Sequence, residues 1–235
     1  MNLRLISVLC FILTATTGFT QQLSYSDAAQ AYNRILLENG NGTFQRVNTY
    51  RVRGTQYLFG EKHAADLYAK GETGTGIKIS YNTYNQEVEF YGPSNPNKPL
   101  VKSAEEIDSF RIKANPAINL AAPISFVNGR FLSAPAGQFY QQVHMGAKYS
   151  LYKKYKSVLG IVTTNYIDSD VRQFDLEYEY FYLDHERKEL KKIKLNHAAV
   201  KKEFKTVPGI DSILENYPLT VNPEVALGLI FQSLN

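Results

Sequence analysis

Tryptophan is absent, methionine occurs twice, and the only cysteine is Cys10. Cys10 falls inside an apolar run at residues 5–15 that is broken only by Ser7 and Thr14. Arg4 precedes the run, and small, weakly polar residues follow it as far as Gln21 and Gln22. Positive charge, short apolar core and small residues, in that order, are the pattern of a secretory signal peptide, and the core is too short to span a bilayer. We read residues 1–20 as a signal cleaved near Thr20, and the protein as exported, either periplasmic or secreted. The remaining chain then has no thiol, which excludes disulfides, cysteine metal ligands and a cysteine nucleophile. Leu9 stands where a lipid-accepting cysteine needs a small neighbour, so the lipoprotein reading is not followed.

Long hydrophobic runs are also missing. After the signal no stretch reaches membrane-helix length, so no transmembrane span is expected. Several strand-like segments carry charge on one face, which argues against an outer-membrane barrel. The net charge of +4 is too mild an excess to imply a polyanion, and export makes nucleic acid an unsuitable partner.

Aromatic residues are abundant: 17 Tyr and 13 Phe. Tyrosine suits half-buried strand positions, with its ring packed and its hydroxyl at water or a partner. The chain divides by pattern into an N-terminal helix and linker (21–48), an antiparallel β domain (49–195) and a helical cap packed on the sheet (196–235). The first helix is expected from a Ser24 or Ser26 cap through Ala28, Ala29, Ala31, Ile35, Leu36 and Leu37, stopped by Asn39-Gly40-Asn41-Gly42. Asn41-Gly42-Thr43 also matches a glycosylation sequon.

Within the β domain, Ile77, Ile79 and Tyr81 alternate with Lys78 and Ser80, and Val88 and Phe90 with Glu87 and Glu89. Residues 71–76 read as a flexible hairpin loop, and residues 92–97, with two prolines and a glycine, as another loop. Residues 107–112 predict a strand. Residues 114–137 predict an irregular crossing with one short strand at 124–127. A hairpin is expected from 139–144 and 148–155. In a second hairpin, Phe174, Leu176, Tyr178, Tyr180 and Tyr182 share one face, while Asp175, Glu177 and Glu179 share the other. Placing Leu183 opposite Leu190 sets Tyr180 against Ile193, Tyr178 against Leu195 and Glu179 against Lys194, matching apolar with apolar and acid with base. Three short helices follow. Asn196 caps the first, Pro208-Gly209 precedes the second, and Asn222-Pro223-Glu224 starts the third, whose apolar face is Val225, Leu227, Leu229, Ile230 and Leu234. The fold class is α+β: an antiparallel curled sheet or partial β-barrel with a C-terminal cap of about three short helices.

Catalytic and metal signatures are lacking. Gly71-Glu72-Thr73-Gly74-Thr75-Gly76 misses the lysine of a phosphate loop, because Ile77 follows the last glycine. His63, His144, His185 and His197 are the only imidazoles, and no two stand three or four apart. Asp184-His185-Glu186 reads as a solvated turn. Asp168-Ser169-Asp170 resembles the start of a calcium loop, but Arg172 takes the next alternate position. No nucleophile elbow is present, and a hydrolase would rest only on His144 near many hydroxyls. Glu177 and Glu179 read as surface-paired carboxylates. No cofactor and no metal are expected, and no residue is assigned a catalytic role. The segment 187–205 holds eight basic and two acidic residues. It could meet anionic lipid headgroups or lipopolysaccharide, but we read it as a solvated helix face and a strand edge guarded by lysines.

Several segments together resemble a family of uncharacterised exported β-rich proteins of Gram-negative bacteria. These are Tyr57-Leu58-Phe59, Tyr81-Asn82 with Val88-Glu89-Phe90, Ile107-Asp108-Ser109-Phe110-Arg111-Ile112 and Phe139-Tyr140 with Val143 and Gly146. Ser150-Leu151-Tyr152-Lys153-Lys154-Tyr155, Tyr180-Phe181-Tyr182-Leu183, Ile193 and the lysine-rich tail continue it. The resemblance implies export and a β-rich architecture, and no activity, ligand or catalytic residue. Two functions are carried forward. The first is a non-enzymatic binding or envelope-interaction module that meets an envelope protein through its sheet surface or edge. The second is a carrier of a small apolar ligand or lipid inside the curled sheet, lined by Tyr178, Tyr180, Tyr182, Phe139 and Val143.

Overall fold

The computed structural model describes residues 36–39, 43–46, 51–161 and 171–235. The expected signal with Cys10, the helix expected from Ser24 to Ile35, the sequon at Asn41 and the acidic pair Asp168 and Asp170 lie outside them. Strand β1 (Leu36–Asn39) pairs antiparallel with β2 (Thr43–Arg46), setting Leu36 opposite Arg46 and Asn39 opposite Thr43. Leu36 and Leu37 are therefore strand residues rather than the end of a helix. Asn-Gly closes hairpins as readily as it stops helices, and the 3.6-residue spacing could not tell the two apart. This hairpin belongs to one compact unit, and residues from Val52 onward form the other.

The second unit is built on one large sheet, antiparallel at every pairing along its main path. Its strands are β3 (Arg51–Arg53), β4 (His63–Ala69), β5 (Glu72–Asn82), β6 (Glu87–Gly92), β7 (Asn95–Val101), β8 (Ser109–Ile112), β9 (Ile124–Asn128), β10 (Phe139–His144), β11 (Tyr149–Ile161), β12 (Val171–Asp184) and β13 (Glu189–Lys192). They lie in the order β13-β12-β11-β10-β9-β8-β4-β5-β6-β7, with β3 paired to β12. The sheet curls without closing into a barrel. Its turn between β5 and β6 folds back onto β11. Thr83 Oγ1 and Ser157 Oγ lie 2.6 Å apart, and Gln86 Nε2 donates to the Tyr155 carbonyl at 3.0 Å.

The two best-patterned turns use the same device. Asn82 Oδ1 accepts from the amides of Tyr84 and Asn85, and Asp184 Oδ1 accepts from those of Glu186 and Arg187, all at 3.1 Å. Each four-residue turn ends on a left-handed residue, Gln86 or Lys188, as a short side-chain acceptor at the turn's start permits. The expected register holds across the second: Leu183 faces Leu190, and the Ile193 amide donates to the Tyr180 carbonyl at 2.8 Å. β13 stops at Lys192, however, so Leu195 is not paired with Tyr178. The ion pair of Glu179 is made diagonally with Lys192 instead of Lys194.

Two segments expected as loops are strands. Residues 72–76 belong to β5, and the β4–β5 turn is only Lys70 and Gly71, both at positive φ. Residues 95–97 belong to β7, which pairs with β6 through Gly92 and Asn95. β7 is an edge strand, and an edge tolerates Pro96 and Pro99 because an outward position needs no amide donor.

A first core fills the curl. Ala65, Leu67, Ile79, Tyr81, Val88, Phe110, Ile112, Phe126, Phe139 and Tyr155 are all buried in it. Tyr81 meets Phe110, Phe126 and Phe139 edge to face, with ring centroids 5.3, 5.4 and 5.8 Å away. Asn128, fully buried, ties the irregular crossing to this layer. Its amide nitrogen donates to the carbonyls of Ala104 and Ile107, and its oxygen accepts from Arg130 and Gly137.

A second core lies under the helices α1 (His197–Glu203), α2 (Ile210–Asn216) and α3 (Pro223–Leu234). Asn196 caps α1 by accepting from Ala199 N at 2.8 Å, which satisfies one of its free first-turn amides. Asn222 makes no side-chain cap, although Pro223 does start α3. The buried face of α3 is Ala226, Leu227, Ile230 and Phe231, and Val225 is exposed. These side chains pack on Leu151, Tyr180, Tyr182 and Ile193 of the sheet. Among the described residues no helix is long and apolar enough to cross a membrane.

Candidate binding surface

The five residues proposed to line a ligand cavity do not line a common one. Phe139 is buried in the first core, 5.1 Å from the ring of Phe110. Tyr182 is buried in the second, against Phe204 and Phe231. Val143 is half-buried at the rim of that core. Tyr180 is 1% exposed and Tyr178 is 45% exposed, although they are neighbours on the same face. β12 presents one aromatic face, as its alternation predicts. That face is covered by the helices at Tyr182 and Tyr180 and lies open at Tyr178 and Leu176.

Lys153 stands at the junction. In register with Tyr180, it shares its face with Leu151 and Tyr155, so it interrupts an otherwise buried stripe. Its Nζ lies 4.6 Å from the ring centre of Tyr178, 5.0 Å from that of Tyr155 and 5.5 Å from that of Tyr180. It pairs with Glu224 Oε2 at 2.8 Å, and the Tyr180 hydroxyl donates to the same oxygen at 3.2 Å. Burial presses the Lys153 pKa down, but the hydrogen bond and charge of Glu224 outweigh it and hold it above the ordinary lysine value. Burial likewise raises Tyr155 and Tyr180. The cluster clamps the first turn of α3 to the sheet, and its cation is already taken. Sequence reasoning missed Lys153; the available signal was a charged residue at an inward position of a period-2 strand.

An imidazole and a hydroxyl do meet, though not at His144. His185 Nε2 lies 2.8 Å from Ser150 Oγ. Ser150 is fully buried beneath the turn and is also 3.4 Å from the Gly146 amide nitrogen. The neighbouring carboxylate, Asp184, is engaged by the turn's own amides. A nucleophile needs an open approach and an oriented base, so this pair serves the turn.

Glu89 is buried where Tyr57 OH donates to both its oxygens, at 2.9 and 3.0 Å, and Tyr91 OH to one at 3.3 Å. Burial pushes the Tyr91 hydroxyl up to about 12. Glu177 and Glu179 lie opposite Lys156 and Lys154 on the outer face. No group of three His, Cys, Asp or Glu among the described residues is placed to hold a metal ion.

Among the concavities on the outside, two lie at the margins of the sheet. A groove of about 530 Å³ runs between β5, β6 and the edge strand β7, lined by Ile77, Phe90, Pro93, Pro96 and Leu100. Leu100 and its neighbour Val101 are exposed. A second, of about 340 Å³, lies between β13 and α1, lined by Lys192, Ile193, Lys194, Ala199, Val200, Lys202 and Glu203. No protein family, curated protein or solved structure matches this chain.

Proposed function

We propose that this protein is an exported, non-enzymatic binding module of the cell envelope that acts through its exterior. The observation that carries this reading is the ring cluster around Tyr81. Where a curled sheet could hold a ligand, the Tyr81 ring packs edge to face on three phenylalanine rings, and the four occupy the space. The imidazole–hydroxyl pair has its serine buried beneath a turn, which also favours a surface role. Export through residues 1–20 belongs to the proposal.

The carrier reading keeps one foothold, the open apolar groove beside Phe90 and Leu100. Both readings are tested by capture from envelope extracts at low salt, with Leu100→Glu run in parallel, and by native mass spectrometry of gently purified protein. A reproducible partner bound to a ligand-free protein supports the module. An extract that yields no partner overturns it, and a co-purified apolar molecule lost in Leu100→Glu supports the carrier.

A further inference from the structure

We propose that the groove between β13 and α1 is a binding site for a phosphate-type anion, either the headgroup of an anionic phospholipid or free phosphate. This rests on the surface-binding reading and names one of its partners. Lys192 and Lys194 come from the strand side, and Lys202 comes from the helix; all three are exposed and line one concavity. Lys192 is engaged by Glu179. Among the described residues, neither Lys194 nor Lys202 has a carboxylate within ion-pairing distance. The one acid in the lining, Glu203, is exposed and accepts the Tyr182 hydroxyl, so three lysines face one carboxylate there.

Edge protection accounts for lysines on β13. It does not account for Lys202, which sits on a helix and converges on the same space. Charge is also concentrated here. Segment 187–205 carries eight basic and two acidic residues, an excess of six, whereas the whole chain is +4, so the rest is net negative by two. Such a gradient orients the basic end towards an anionic surface.

The lining narrows the class of anion. No arginine fork is present to grip a planar carboxylate through two parallel bonds. Lysines act as point charges and suit a compact tetrahedral group whose oxygens point in several directions. Ile193, Ala199 and Val200 give the groove an apolar floor, which matches the carbon portion of a phosphate ester.

The test compares the full-length protein with Lys194→Gln/Lys202→Gln and with a control, Lys188→Gln/Lys205→Gln, whose residues lie outside the lining. Binding is measured by co-sedimentation with phosphatidylglycerol-containing phosphatidylcholine vesicles at low salt. A titration with inorganic phosphate follows the backbone amides of 193–203 by NMR. Loss of two lysines from the site is expected to weaken vesicle binding about 30-fold, and the control to weaken it far less. All four substituted side chains are exposed, so circular dichroism should show every variant folded. Binding to vesicles alone assigns the headgroup, and perturbation of the groove amides by phosphate assigns the free ion. Binding to neither probe overturns the site, as does an equal loss in the control, which would reveal only a general field. If the probes fail while an envelope protein is still captured, this inference falls and the module reading stands.

Discussion

Tyr81 and Tyr182 are both buried tyrosines at the apolar face of long strands, yet they are held in different ways. The rings around Tyr81 come from β8, β9 and β10, strands bonded to one another through their backbones. Its hydroxyl donates to Gln86, a neutral group in the adjacent turn. The rings around Tyr182 come largely from α1 and α3 and their flanks, and its hydroxyl donates to Glu203, a carboxylate. Helices of seven to twelve residues are marginal on their own. Among the described residues, side chains hold them down: apolar packing, the Lys153–Glu224 pair, the Tyr182–Glu203 bond and Asn235 Oδ1, which accepts from the amides of Lys148 and Tyr149. The first core is closed by backbone, the second by what can be cut with single substitutions.

Alkali should have the largest effect and should show whether the two cores fail together. Burial raises the hydroxyls of Tyr81, Tyr155, Tyr180 and Tyr182, and Tyr91 to about 12. An unfolded tyrosine loses its proton near 10, so above that pH the unfolded chain releases protons that the folded chain keeps. Stability therefore falls as pH rises through that window. The raised Lys153 acts in the same sense, because its contribution is present below the ordinary lysine value and fades as pH climbs through the folded one. Tyrosinate absorbance and circular dichroism are expected to change together between about pH 10 and 12. Smooth titration near 10 with an unchanged spectrum would show the rings are not buried.

Next in size, Tyr81→Ala and Phe231→Ala should each cost about 3–5 kcal/mol. Hydrogen exchange separates them. In Phe231→Ala the amides of α1, α2 and α3 should lose protection while β8 to β11 keep theirs. In Tyr81→Ala the whole sheet should weaken. Identical patterns would erase the distinction drawn between the cores.

The smallest effect is expected for Lys153→Met, about 1–2 kcal/mol. Removing one partner of a buried pair costs more in general, but Glu224 is 42% exposed and water replaces part of the lost cation. The loss, read from the urea midpoint, should shrink in Lys153→Met/Glu224→Gln. A double variant as weak as the single one would show that the lysine acts through its rings and not through Glu224.

Much of this architecture is readable along the chain. Period-2 alternation in β12, the Leu183–Leu190 register and the three helix starts follow from local chemistry. The errors have physical causes. Residues 71–76 look too flexible for a strand, but Gly74 leaves the space into which the Ile77 side chain folds. Pro96 breaks a central ladder but not an edge. The candidate cavity failed for a different reason: alternation reveals which residues share a face, not what lies over that face. Tyr178, Tyr180 and Tyr182 have one periodicity and two surroundings: Tyr180 and Tyr182 lie in the second core, and Tyr178 is exposed. The lysine groove was visible only as charge density, because the approach of Lys202 to Lys194 depends on where α1 docks.

A curl that stops short of closure leaves the two ends of its strand path, β7 and β13, free, and they are insulated by unlike means. At β7 the insulation is covalent: Pro96 and Pro99 lack amide hydrogens, whatever the solvent. At β13 it is coulombic, supplied by Lys191 and Lys192, and at molar salt, where the screening length is about 3 Å, it is largely switched off. Brine therefore strips protection from one margin only, and any strand-to-strand stacking of copies begins at the lysine end.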